Sequence, residues 1–311
     1  MSALSLPLTL LSPSRLTSLL RLPPLARLPG ATPVSHPPGA LLRAAALELS
    51  VLVAHLALYP TGLADERPVD EAGPAGPSPG AFPRLPLAPP PPVVLLHGFA
   101  DNRSVFVLLL RDADGTARRR TLVSLNYSPL TCDIRAAAEL LGRHVEEVRR
   151  RTGADRVDVV GHSLGGLIAR YHVQRLGGDA AVRTLVTLGT PHSGTRVARP
   201  ADVHPIVRQM RPGSPVIEEL GRPAPGCRTR FVAVRSDLDQ IMVPTSAARL
   251  DHPDLRVENV LVTGIGHLAL PVHPTVTSLV REALSAPAGQ GAGDRAYEVP
   301  GGAESAAGTV A

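Results

Sequence analysis

Three separated stretches of this sequence carry residues whose types and spacing could do chemistry together. Gly161-His162-Ser163-Leu164-Gly165, with Gly166 following, comes straight after the apolar run VDVV and straight before the helical run LIARYHVQRL. A serine hydroxyl is a weak nucleophile until it is exposed at a sharp strand-to-helix turn, where its neighbours must be small enough for the chain to double back. Gly161 and Gly165 meet that need. The turn also sets Ser163 beside a helix N-terminus, where backbone N–H groups and the helix dipole favour developing negative charge. Upstream, VVLLHGF at 93–99 reads as an apolar strand opening into a His97-Gly98 turn. In acyl transfer the carbonyl oxygen becomes an anion that two backbone N–H groups stabilise best, one following the nucleophile and one from such an earlier loop. Those donors are expected at Leu164 and Phe99. Gly98 lets the backbone approach a substrate, and His97 is expected to brace the loop by hydrogen bonding rather than act as a base.

Downstream, FVAVRSDLDQIMVP offers two carboxylates, Asp237 and Asp239, past the end of an apolar strand, and ENVLVTG runs into Gly264-Ile265-Gly266-His267. Taken together, LLHGF, GHSLGG, LGTPHSGT and GIGHLALP resemble the bacterial lipase and esterase branch of the α/β-hydrolase superfamily over roughly residues 92–284. The resemblance implies the chain order nucleophile, acid, histidine, with the acid in a loop after a late strand and the histidine after the last one. It favours Asp239, because the family's acid usually precedes an apolar pair ending in Pro, here Met242-Val243-Pro244. Asp237 would then hold the loop by bonding nearby backbone N–H groups. His267 is the expected base, with glycines before it that let the imidazole swing towards Ser163. His273, before Pro274, is the alternative base but reads better as a helix-start residue, and His192 in LGTPHSGT as structural or substrate-adjacent. In such a triad the histidine takes the serine proton at attack and returns it to the leaving alkoxide, while a buried carboxylate fixes its tautomer.

These residues need a scaffold, and the sequence between them supplies one. Short β-branched apolar runs alternate with helical patterns, which is the signature of a mostly parallel sheet with helices on both faces. Six strands are expected, at 93–96, 121–126, 157–160, 184–188, 230–234 and 259–262. Ile134, Ala137, Leu141, Val145 and Val148 recur at three- and four-residue steps up to Gly153, so the crossover between the second and third strands is an amphipathic helix closed by glycine. The stretch 195–226 lies between two strands and mixes Pro and Gly with Val203, Ile206, Val207, Met210, Val216, Ile217 and Leu220, which suggests a short cap over the serine.

Around this catalytic region, 92–285, the chain changes character. Residues 1–39 are rich in Leu, Pro and Ser, contain no acidic residue, and are expected to be disordered. Residues 40–62 begin with ALLRAAALELSVLVAHLALY, an apolar helix of nearly membrane-spanning length. Glu48 makes a span marginal, since a charge near its centre costs about 2.5–3.5 kcal/mol on insertion scales. Glu48 and His55 share one helical face, so three readings stand: a membrane anchor, a helix docked on the catalytic domain, or an export signal. A membrane-associated or secreted location follows from the first and last. A Pro-rich linker is expected over 63–91 and a disordered tail over 286–311.

Composition narrows the function classes. The net charge is +5 over 311 residues, yet every basic side chain is Arg. The runs at 118–120 and 149–151 lack interleaved aromatics or a nucleic-acid motif, so they read as solvated surface and no nucleic-acid partner is expected. Cys132 and Cys227 show no metal spacing, and whether they pair is open. No cofactor or metal is expected, and the turn at Gly161 lacks the lysine of a phosphate-binding loop. The expected activity is therefore hydrolysis of carboxylic esters, lipid esters included, through an acyl-enzyme. Acyl transfer or thioester cleavage on the same fold, and a non-catalytic membrane-associated binding protein, are the alternatives.

Overall fold

The β-branched runs do form strands, and their order in space explains where chemistry can occur. The computed structural model describes residues 38–58, 89–99, 106, 120–125, 127, 133–196, 204–287 and 293–297. The strands are β1 (Val93–Leu96), β2 (Leu122–Leu125), β3 (Val157–His162), β4 (Val182–Leu188), β5 (Arg230–Ser236), β6 (Arg256–Val262) and β7 (Gly293–Tyr297). All pair in parallel, in the order β2-β1-β3-β4-β5-β6-β7. The chain runs outward from β1 to β2 and then crosses back to β3, so the order reverses between β1 and β3. Open parallel sheets bind their ligands at such a switch point, beyond the carboxyl ends of the strands. Ser163 follows β3 and His97 follows β1.

Six helices are described: α1 (Pro38–Leu58), α2 (Ile134–Thr152), α3 (Leu164–Arg175), α4 (Pro205–Gln209), α5 (Pro215–Gly221) and α6 (Pro274–Ser285). Alternate residues of a strand point to opposite faces, and two apolar clusters result. One gathers Val94, Leu96, Val159, Leu185 and Phe231 with α2 and α3. The other gathers Val93, Leu95, Val160, Val186 and Val232 with α6 and Val51 of α1. Helix α2 follows its periodicity: Asp133 caps it by accepting from the Arg135 and Ala136 amides, and Gly153 ends it in the left-handed conformation at φ 66°. Its Arg149, Arg150 and Arg151 pair with Glu146 and Glu147 on the same helix.

The structure adds one strand to the sequence reading and shows the first helix packed on the sheet, one of the three arrangements read from the sequence. A seventh strand, β7, lies inside the stretch assigned to a disordered tail. Residues 293–296 are exposed and Tyr297 alone packs on an apolar cluster, so no alternating pattern announced it; pairing with β6 and ion pairs from Arg295 to Glu258 and Glu282 and from Arg249 to Asp294 hold it. Helix α1 starts at Pro38 and turns Ala44, Leu47 and Val51 inward while Leu42 stays 73% and Leu49 62% exposed. No described helix is long and apolar enough to cross a membrane. The His55 side chain, residues 1–37, most of the Pro-rich linker at 59–88, and 298–311 lie outside the described residues. So does Cys132; Cys227 carries a free thiol that donates to Asp179 Oδ1 at 3.5 Å, and burial first raises its pKa to about 11.

Candidate active site

Ser163 sits between β3 and α3 with φ 52° and ψ −117°, the one described non-glycine residue at positive φ. A side chain held there costs on the order of 1–3 kcal/mol, so its surroundings must impose it. They do so from three directions. The Ser163 amide donates to the Leu188 carbonyl at 2.8 Å, its carbonyl accepts from the Gly166 amide at 3.1 Å, and Thr190 Oγ1 donates to the same carbonyl at 3.0 Å. The glycines are required by contact: a Cβ on Gly161 would stand 2.6 Å from the Gly166 nitrogen, and one on Gly165 would stand 2.5 Å from the Leu96 carbonyl oxygen. The second contact wedges the turn against the end of β1 and brings the His97-Gly98-Phe99 segment alongside. Leu164 opens α3, so its N–H has no carbonyl partner within the helix.

His97 is buried and stacks on Tyr127 with ring centroids 4.3 Å apart, while its Nδ1 donates to the Gly98 carbonyl at 2.9 Å and Tyr127 Oη donates to its carbonyl. It braces the turn. Gly98 is buried, and Phe99 meets His204, at the start of α4 in the 195–226 stretch, edge-on at 5.3 Å.

The two carboxylates of the 237–239 loop separate by what each touches. Asp239 is 2% exposed; its Oδ1 accepts from the Ile241 and Met242 amides at 3.0 and 3.1 Å, and its Oδ2 accepts from His267 Nδ1 at 2.8 Å. Asp237 instead accepts from the Gly264 amide at 2.9 Å and so holds the histidine's own loop. With Nδ1–H directed at Asp239, the neutral imidazole presents Nε2 as its basic nitrogen. Gly189, at φ 53°, leaves room for this pair: a Cβ there would stand 2.9 Å from Asp239 Oδ2 and 3.0 Å from His267 Nδ1. His162, immediately before the serine, donates from Nε2 to the His267 carbonyl at 3.2 Å, and their rings lie 4.8 Å apart. The histidine therefore stands directly beside the strained turn. The Ser163 side chain makes no capping hydrogen bond to α3.

The other histidines have different duties. His273 caps α6 by accepting from the Thr275 amide, and His192 is buried against Thr187 Oγ1, with burial pushing its pKa far down. His162, Thr190 and Gly189 were not singled out from the sequence; the only sign of the last two was their place in LGTPHSGT.

Residues 91–215 match the sequence model of the family described as alpha/beta hydrolase fold. With the parallel sheet, the switch point and the strained serine turn, that settles the architecture. The chain is an α/β-hydrolase-fold protein. The resemblance to lipases and esterases is met by similarity over 113 residues, at 29% identity, to a triacylglycerol lipase of Pseudarthrobacter phenanthrenivorans, covering 34% of this chain and 35% of that one. A triacylglycerol lipase of Burkholderia plantarii matches at 29% identity over 34% of this chain and 31% of its own. This α/β-hydrolase chain thus spans about a third of the length of the curated relatives it matches. Among solved structures, Aspergillus fumigatus lipase B superposes with a TM-score of 0.54 at 18% identity, over 64% of this chain and 53% of that one. Mature Bacillus licheniformis lipase BlEst2 gives 0.52 at 16% identity, over 67% and 97%. These two superpositions speak for the fold alone.

Proposed function

We propose that this α/β-hydrolase-fold chain hydrolyses carboxylic esters, lipid esters among them, with Ser163 as nucleophile, His267 as base and Asp239 as its carboxylate. The observation that carries the reading is the buried Asp239–His267 pair standing beside a serine held at positive φ. His267 Nε2 takes the proton as Ser163 Oγ attacks the ester carbonyl, and the Leu164 and Phe99 amides receive the oxyanion. Collapse expels the alkoxide, which His267 protonates, and leaves an acyl-enzyme. Water, deprotonated by the same Nε2, then releases the acid.

The relatives named as triacylglycerol lipases support acyl chains as substrate. Nitrophenyl esters of short and long acyl chains test this. Turnover that Ser163→Ala abolishes, together with fluorophosphonate labelling at Ser163, is the expected result. Turnover that persists in Ser163→Ala, or no turnover and no labelling in the unaltered protein, would refute it. Transfer to an acceptor alcohol instead of water would appear as a new ester in the product mixture.

A further inference from the structure

We propose that Glu48 is a positioning residue for the active site: carried in by α1, its carboxylate fixes the turn on which His267 stands. This deepens the ester-hydrolase reading and rests on it. Glu48 Oε1 accepts from the Ala269 amide at 2.8 Å and Oε2 from the Leu268 amide at 3.1 Å, so both oxygens are spent on the two residues that follow the base. On the other side of His267, Gly266 makes the opening for the carboxylate; a Cβ there would fall 2.5 Å from Oε1 and closer still to Cδ and Cγ. One acid therefore brackets the histidine from both neighbours.

The loop needs such a clamp. Gly264 at φ 77° and Gly266 give its backbone little conformational preference of its own, yet the ring must keep Nδ1 on Asp239 while Nε2 serves Ser163. Glu48 reaches the loop because Ala44, Leu47, Glu48 and Val51 form a single stripe of α1, at helical steps of three and four. Val51 packs in the same apolar cluster as Ile265, Ala269 and Leu270. An acid on the apolar stripe of this helix would be costly against a domain unless hydrogen-bond donors met it, and the two amides are those donors. The acid that made this helix a poor membrane span is the group that engages the catalytic loop.

The test uses the full chain, with nitrophenyl butyrate as substrate and a fluorophosphonate as label. Glu48→Ala is expected to lower kcat by about 10- to 100-fold with KM within about twofold, the signature of a displaced catalytic group rather than lost substrate binding. Labelling of Ser163 should slow in parallel. Glu48→Gln, whose one carboxamide oxygen serves one of the two amides, should fall between Glu48→Ala and the unaltered protein. Val148→Ala loosens the core beneath α2, in the apolar cluster that holds none of the histidine loop; it should lower Tm while kcat of the folded enzyme holds within about twofold. A folded Glu48→Ala protein with kcat within about twofold of normal would overturn the proposal, as would Tm and kcat falling together to the same degree in Glu48→Ala and Val148→Ala. An unaltered chain that neither hydrolyses esters nor takes the label would instead overturn the hydrolase reading itself.

Discussion

Two aspartates two residues apart do different work, and the difference lies wholly in which N–H groups each one meets. Asp239→Asn should leave the loop's shape nearly intact but present the wrong group to His267 Nδ1, and kcat is expected to fall by about 10⁴-fold while Tm moves little. Asp237→Asn removes a charge-assisted bond to the Gly264 amide and should cost stability of about 1–2 kcal/mol with a much smaller loss of kcat. Steady-state kinetics and thermal melts on both proteins check the pair, and equal losses of kcat would contradict the division of labour. The letters around Ser163 were informative because the turn tolerates so few residues: contacts at Gly161 and Gly165 allow nothing larger. The two aspartates were not separable in that way. Nothing in the residues alone says which of two neighbouring carboxylates faces a histidine 28 positions further on, and the choice rested on resemblance. Gly189 was invisible for a related reason, since its lack of a side chain matters only because Asp239 and His267 come to rest against it.

Among the elements, α5 is tied down by a cluster that gives a pH-dependent signature. Glu219 accepts from Arg135 of α2 at 2.7 and 3.1 Å and from Tyr171 Oη of α3 at 2.6 Å. The hydrogen bond from Arg135, and then that from Tyr171, hold the Glu219 carboxyl down at about 2. A carboxyl lowered on folding contributes stability above its unfolded pKa and loses it as pH falls through the folded value. Glu219→Gln should therefore melt below the unaltered protein near neutral pH, and the gap should close as the pH approaches about 2. A gap that stays constant over that range would show that the carboxylate's charge contributes nothing. Helix α2 was legible because its apolar residues recur at helical spacing between an Asp cap and a closing Gly. Helix α1 was legible as a helix but not in its docking, because apolar residues lie all around it and only burial distinguishes Ala44 and Val51 from Leu42 and Leu49. Strand β7 was not legible, since main-chain bonds and surface ion pairs fix it and neither leaves an alternating pattern.

For the molecule as a whole, β7 is the edge strand of the sheet, and its charged Asp294 and Arg295 blunt an edge that β6, with its apolar run, would otherwise offer to another chain. A protein ending at residue 287 would lose the β6–β7 pairing and the bridges from Arg295 to Glu258 and Glu282. Its Tm is expected to drop by about 2–4 °C for each kcal/mol lost, with faster aggregation at raised temperature. Light scattering and calorimetry on the shortened protein check this, and an unchanged melt would mean that the edge strand contributes nothing. A different consequence follows from the 220 residues that separate Glu48 from Leu268 along the chain. Ribosomes emit α1 long before its seat at 265–270 exists; at about 5–20 residues per second the delay is about 10–40 s. Throughout that interval Val51 and Leu47 lack the partners they finally meet, so the nascent polypeptide carries an unburied greasy segment until residues 265–270 have been made.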